Sequence, residues 1–154
     1  MVLMGKQAPG KRMPGVRNGP GGKCEPGEEP IDCAVREVRE EIGVELNKED
    51  LKYIGTLIDG EDHVYFYTSV LKEKIVIHDN AETVDCRWFN IERTDEYVHE
   101  MLPGDEKIIR EVITSIKNPE QFNEFKLDTS DLDETTRAKL KEMTKHIHGF
   151  PKIK

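Results

Sequence analysis

Apolar positions recur along this chain at two periods, one suited to strands and one to helices. Val2, Leu3 and Met4 run into Gly5 and Lys6 and read as a short strand over 2–6. Between Gly10 and Gly22, Pro14, Gly15, Gly19, Pro20 and Gly21 mark a loop whose backbone is free to make close approaches. From Pro30 to Ile42, the residues Ile31, Ala34, Val35, Val38 and Ile42 share one helical face. Pro30 suits the first turn of that helix and Gly43 the position just past its end. Strand-like runs follow at Leu51–Ile58, Val64–Leu71, Lys74–Ile77 and Val84–Phe89, with Asp59–Asp62 as a hairpin connection. A second amphipathic helix is predicted over Glu106–Lys117, with Ile108, Ile109, Val112, Ile113 and Ile116 on one side. Beyond Pro119, Phe122 and Phe125 are expected to pack back, Phe122–Leu127 reads as a weak strand, and Leu132–Lys145 as a polar helix. This order predicts a mixed α/β (α+β) domain over residues 1–117, followed by a C-terminal extension over 118–154.

Composition narrows the partners. At 154 residues the chain suits one domain, and 31 acidic against 23 basic side chains leave a formal charge of −8. Such a chain is a poor candidate for gripping polymeric nucleic acid, yet it can hold a small phosphate-bearing molecule if metal cations lie between them. No apolar run reaches the roughly 20 residues that cross a bilayer, and no signal-peptide pattern is present, so a cytoplasmic protein without membrane partners is expected. The cysteines Cys24, Cys33 and Cys86 are expected to be reduced, with Cys24 and Cys33 as packing residues rather than zinc ligands.

The predicted first helix carries a second face. Glu37, Glu40 and Glu41 stand at i, i+3 and i+4, close enough to repel one another, and near a helix C-terminus they also oppose the macrodipole. Arg36 and Arg39 can neutralise them as ordinary surface pairs; alternatively a hard divalent cation takes the carboxylates as ligands. Around them, Gly22, Glu28, Arg36-Glu37-Val38, Glu40-Glu41 and Gly43-Val44 follow the pattern Gly-x5-Glu-x7-Arg-Glu-U-x-Glu-Glu-x-Gly-U, with U aliphatic. This resembles the signature of the Nudix hydrolases at every defined position.

The resemblance implies an α/β/α sandwich, with a mixed sheet between the two predicted helices. It also implies Mg²⁺-dependent (or Mn²⁺-dependent) attack of water on phosphorus in a nucleoside diphosphate linked to another group. Carried onto this chain, Glu37, Glu40 and Glu41 are metal ligands, one of Glu40 or Glu41 helps deprotonate water, and the Gly22 carbonyl completes the metal shell. Arg36 and Glu28 pair to orient the carboxylates, Lys23 reaches a phosphate, and Glu82 lies where related enzymes place a further acid near the metals. The segment Asn18-Gly19-Pro20-Gly21-Gly22-Lys23 is similar to the entry of the 8-oxo-dGTP diphosphatases, in which the Asn contacts the base. Met101-Leu102-Pro103-Gly104-Asp105 is similar to their base-pocket segment, which makes Asp105 a candidate for a purine edge.

The expected reaction is therefore cleavage of an oxidised purine dNTP to monophosphate and pyrophosphate. A general dNTP or nucleoside-diphosphate-X pyrophosphatase and a non-catalytic nucleotide sensor are the alternatives. Arg17 and Leu102 depart from that subfamily, which has aromatic residues there. Plainer roles also exist: Asn18 as a turn residue, Asp105 as a helix cap, Glu82 as a loop acid, and Lys23 as a solvated side chain. Nudix domains normally carry a strand ahead of the one assigned to 2–6. Its absence implies either that the true start lies upstream or that the sheet has an open edge there, covered by the tail or by a second copy, so a monomer and a homodimer are both expected forms.

Overall fold

The computed structural model describes residues 1–144, with side chains to 142, and contains two three-stranded sheets and three α-helices. In the first sheet, β1 (Val2–Gln7) lies between β2 (Arg17–Asn18) and β5 (Thr83–Phe89), antiparallel to both. In the second, β3 (Lys52–Asp59) lies between antiparallel β4 (Asp62–Thr68) and parallel β6 (Phe125–Asp128). The helices are α1 (Pro30–Ile42), α2 (Asp105–Lys117) and α3 (Glu134–Thr144). The predicted last helix reached Lys145, which lies outside the described residues, as do His146 and His148.

α2 joins the two sheets into one fold. Its apolar stripe divides: Ile109 and Ile113 pack with Met4, Phe89, Tyr97 and Met101 against the first sheet. Ile108 and Val112 pack with Ile54, Phe66 and Phe125 against the second. Ile116, placed in the same stripe by periodicity, is 43% exposed beyond the reach of either cluster.

Three expectations need correction. The single mixed sheet is divided in two, with the parallel pairing confined to β3 and β6. The segment Lys74–Ile77 forms no strand; Val76 is 83% exposed, and the Ile75 carbonyl accepts from the Trp88 indole at 2.9 Å. Alternation without a neighbouring strand to pair with leaves an apolar run as loop. Trp88 is half-buried, while Phe89 fills the core.

Nor does β1 lie at an edge over Gly5 and Lys6, the residues that β2 covers. The Gly/Pro loop doubles back, with Gln7 donating to the Val16 carbonyl at 3.0 Å, so that β2 pairs along one side of β1 and β5 along the other. The tail does add a strand, but beside β3. No helix among the described residues is long and apolar enough to cross a membrane.

Candidate functional site

The site is assembled where the loop after β2 meets the C-terminal half of α1. Pro30 opens the helix and Gly43, at φ 70°, closes it by donating to the Arg39 carbonyl at 2.9 Å. Helical spacing then brings Glu37, Glu40 and Glu41 onto neighbouring turns facing the loop. A Cβ at Gly22 would fall on the Glu37 carboxylate, so the absent side chain is what lets this backbone approach. The preceding amide, Gly21 N–H, donates to Glu41 Oε2 at 3.0 Å.

Arg36 is the hub that ties loop to helix. Its guanidinium donates to Glu28 Oε1 and Oε2 at 2.9 Å each and to Glu37 Oε1 at 2.8 Å. It also reaches Glu40 Oε2 at 3.2 Å and the Lys23 carbonyl at 3.1 Å. These bonds hold Glu28 down at about pKa 2 and raise Arg36 above its ordinary value. The pairing of Arg36 with Glu28 expected from the motif is therefore present. It is through its backbone that Lys23 meets Arg36.

Glu41 differs from its neighbours. Its carboxyl is raised to about 7, chiefly by burial and also by the charges of Glu37 and Glu82, while the Gly21 amide and the Lys11 charge pull the other way. Glu82 stands close enough to act on Glu41 and is itself ion-paired with Lys11. Asn80, unnoticed in the sequence, fixes this approach. Its side-chain amide donates to the Glu41 carbonyl at 2.6 Å, and its oxygen accepts from the Glu82 and Thr83 amides at 2.8 and 2.9 Å. The local signal was an Asn two residues before Glu82, the spacing of an Asx turn. The donors are all oxygen, and among the described residues no cation bonds directly to the half-buried carboxylate of Glu41. That chemistry fits a hard divalent ion such as Mg²⁺ or Mn²⁺.

Residues 1–112 match the NUDIX domain. The chain belongs to the Nudix family. Similar proteins include the NAD-capped RNA hydrolase NudC of Pseudomonas putida (strain W619), 36% identical over 104 residues, or 64% of this chain and 34% of that protein. The proteins of the same name from Pseudomonas fluorescens (strain Pf0-1) and Pseudomonas aeruginosa (strain LESB58) are 33% and 34% identical over 104 residues, 34% of each. This Nudix chain thus spans about a third of the length of the curated relatives it matches. Their name includes an RNA, so the expected exclusion of polymeric nucleic acid gains no support from them.

Two further features of the Nudix domain escaped sequence reasoning. Arg17, a cation in a Gly-rich loop, is fully buried. Its Nε donates to Glu100 Oε2 and its Nη2 to Asp85 Oδ2, each at 2.5 Å, and its guanidinium lies 4.7 Å from the centre of the Phe89 ring. Asp85, at φ 51°, sits where the β1–β5 register shifts, and this bulge lies beside the buried cation. Arg17 thus anchors β2, on which the next residue, Asn18, pairs with Gly5.

The other feature is a disulfide joining Cys24 to Cys33, whose Cα atoms are 5.1 Å apart, where reduced packing residues were expected. The loop returns over the first turn of α1 and brings the two sulfurs together. Cys86 is free.

Asp105 is placed apart from the glutamates, in a small cavity lined by Leu57, Leu102, Leu132 and Leu140 beneath the tail. It is the first residue of α2 and makes no cap bond; Gly104 holds the cap position. Burial pushes its carboxyl up to about 6, against a backbone hydrogen bond with Leu102 that lowers it. The folded state therefore keeps a proton that the unfolded chain releases near pH 4, so this group's stabilising contribution is full below pH 4 and is lost as pH rises through 6. Asp105→Asn, which resembles the protonated form, should stabilise the protein by ~1 kcal/mol at pH 8, after discounting for partial exposure and the lost helix-dipole interaction. At pH 4 it should gain nothing. Melting curves at the two pH values check this, and a gain at pH 4 equal to that at pH 8 would contradict it.

Proposed function

We propose that this protein is a divalent-metal-dependent pyrophosphohydrolase that opens a phosphoric anhydride in a nucleotide. The observation that carries the reading is the half-buried Glu41 carboxylate, bonded by the Gly21 amide and acted on by the charges of Glu37 and Glu82, beside a Gly22 backbone that closely approaches Glu37. Glu37, Glu40 and Glu41 would hold Mg²⁺ (or Mn²⁺), with the Gly22 carbonyl and Glu82 at its margin. When bound, the ion offsets phosphoryl charge and acidifies water. Glu41 is better suited than Glu40 to accept a proton from the attacking water. Glu40 is half-exposed and bonded to Arg36, while the Glu41 carboxyl titrates near neutral pH. Arg36 keeps Glu28, Glu37 and Glu40 in register, and the Lys23 side chain reaches a phosphate.

For the substrate, the Asn18–Lys23 segment supports an oxidised purine dNTP such as 8-oxo-dGTP, cleaved to monophosphate and pyrophosphate in nucleotide-pool sanitation. The similarity to proteins named NAD-capped RNA hydrolases favours a second reading, a nucleoside diphosphate joined to another group. In the first reading, residues 1–117 are the catalytic domain, 118–154 is a C-terminal extension whose Leu132 and Leu140 cover Asp105, and the protein works in the cytoplasm. The two readings separate in a panel of 8-oxo-dGTP, dGTP, dTTP, NAD and ADP-ribose with Mg²⁺, with pyrophosphate, orthophosphate and nucleoside monophosphate measured separately. Pyrophosphate from 8-oxo-dGTP in excess over dGTP supports the first reading. Monophosphate without pyrophosphate from NAD or ADP-ribose supports the second, and no Mg²⁺-dependent cleavage of any member overturns both.

Asn18 and Asp105 carry a separate prediction. Asn18→Ala should lower kcat/KM more for 8-oxo-dGTP than for dTTP, because phosphate contacts are common to both nucleotides and purine-edge bonds are not, whereas Asp105→Ala, beneath the tail, should not discriminate between them. Equal losses from Asn18→Ala would make Asn18 structural, and a loss specific to 8-oxo-dGTP from Asp105→Ala would contradict its placement under the tail.

A further inference from the structure

We infer that Cys24 and Cys33 form a dithiol–disulfide exchange site that couples the thiol redox state to the metal-binding loop. The consequence for turnover rests on the hydrolase reading above. The bond joins the residue just after Gly22 and Lys23 to the first turn of α1, one turn ahead of Arg36. It therefore closes a ring containing Glu28, the main partner of Arg36. Without it, the loop from Gly19 to Glu28 is tied to the helix, among the described residues, by non-covalent contacts: the hydrogen bonds from Gly21 to Glu41 and from Arg36 to the Lys23 carbonyl, and the Arg36–Glu28 ion pair.

The two sulfurs differ in a way that gives exchange a direction. Cys33 is buried at 4% exposure, whereas Cys24 is partly exposed on the loop. The Arg36 guanidinium lies 3.7 Å from Cys33 Sγ. An incoming thiolate from a dithiol reductant attacks the accessible Cys24 sulfur, forming a mixed disulfide and expelling Cys33 as a thiolate beside the Arg36 cation. The second thiolate of the reductant then attacks its own sulfur in the mixed disulfide and releases Cys24. Overall, the protein disulfide gains two electrons and two protons, and the reductant leaves as its own disulfide. The Cys33 thiolate then competes with Glu28, Glu37 and Glu40 for Arg36, and the loop carrying the Gly22 carbonyl is no longer covalently tied to the carboxylate helix. Weaker divalent-cation binding follows, because more of the loop must be ordered when the ion binds.

The test compares the full-length protein in its oxidised form with the same protein reduced by dithiothreitol. Thiol titration of the unfolded chain should give one free thiol before reduction and three after it. Reduction should raise both the Mg²⁺ concentration for half-maximal turnover and the Mn²⁺ dissociation constant by at least about fivefold. Reoxidation should restore both values. A Cys24→Ser, Cys33→Ser double variant should stay at the weaker value with or without dithiol, while Cys86→Ser should respond as the native protein does. Three free thiols in the air-oxidised protein, or equal Mn²⁺ affinity in the two verified states, would overturn the inference. If neither state binds Mn²⁺, the hydrolase reading has failed instead. The rate of proteolytic cleavage within residues 19–28 then decides: faster cleavage on reduction supports the exchange site, and an unchanged rate overturns it.

Discussion

Glu41→Gln is expected to lower turnover at saturating Mg²⁺ by at least about a hundredfold, a loss of ~3 kcal/mol of transition-state stabilisation. The glutamine keeps the shape of the side chain and its bond from the Gly21 amide, but removes the charge and the capacity to take a proton. Glu40→Gln should fall comparably if Glu40 ligates, although it is half-exposed and already bonded to Arg36. The fold should survive both changes. Neutralising Glu41 relieves the repulsion from Glu37 and Glu82, so the melting temperature should hold or rise. Near-native turnover in both variants would remove the glutamates from the chemistry.

The second large effect concerns stability and belongs to the tail. Phe125 is buried between Ile54 and Ile108, its ring centre 5.7 Å from that of Phe66, and β6 pairs with β3 through Gly55 to Ile58. Phe125→Ala should cost about 3–5 kcal/mol through lost burial and the cavity left behind, which lowers the melting temperature by roughly 10 °C. Ending the chain at Lys117 should be worse. It also removes Phe122 and Leu127 from the same cluster and Leu132 and Leu140 from the cavity over Asp105, and leaves β3 with an unpaired apolar edge. Aggregation or loss of cooperative melting is the expected result. A shortened chain that is monomeric and melts unchanged would show the tail to be dispensable.

What was legible in the sequence was local. α1 could be read with its start, stop and two faces, because Pro30, Gly43 and the apolar spacing act over a few residues. The β3–β4 hairpin could be read for the same reason, with Asp59 and Asp62 facing each other across a two-residue turn. Periodicity gave α2 as a stripe, but could not show that adjacent residues Ile108 and Ile109 serve different sheets. Non-local pairings were harder. The strand at 2–7 looked like an edge because its partner, Arg17–Asn18, is two residues of an otherwise irregular loop. The buried Arg17 was hidden because its carboxylates lie 68 and 83 residues away in sequence. A spacing of nine residues between Cys24 and Cys33 does not indicate Cα atoms within bonding range; only the return of the loop over α1 does.

The Nudix motif was legible because it is short, and its polar residues meet at one loop–helix junction. Glu28, Arg36, Glu37 and Glu40 are joined by direct hydrogen bonds, and Glu41 is reached from Gly21. Asp105 illustrates the opposite case. Its local surroundings suit either a helix start or a ligand, and the tail that buries it lies more than twenty residues further on.

Equilibrium binding of Mn²⁺, followed by the loss of its free-ion paramagnetic resonance signal, tests the central claim most directly because it needs no choice of substrate. The native protein should bind the ion saturably, Mg²⁺ should compete, and a Glu37→Gln, Glu40→Gln, Glu41→Gln triple variant with a native melting profile should bind none at that site. Undiminished binding in the folded triple variant would contradict the assignment of this loop–helix junction as a metal centre.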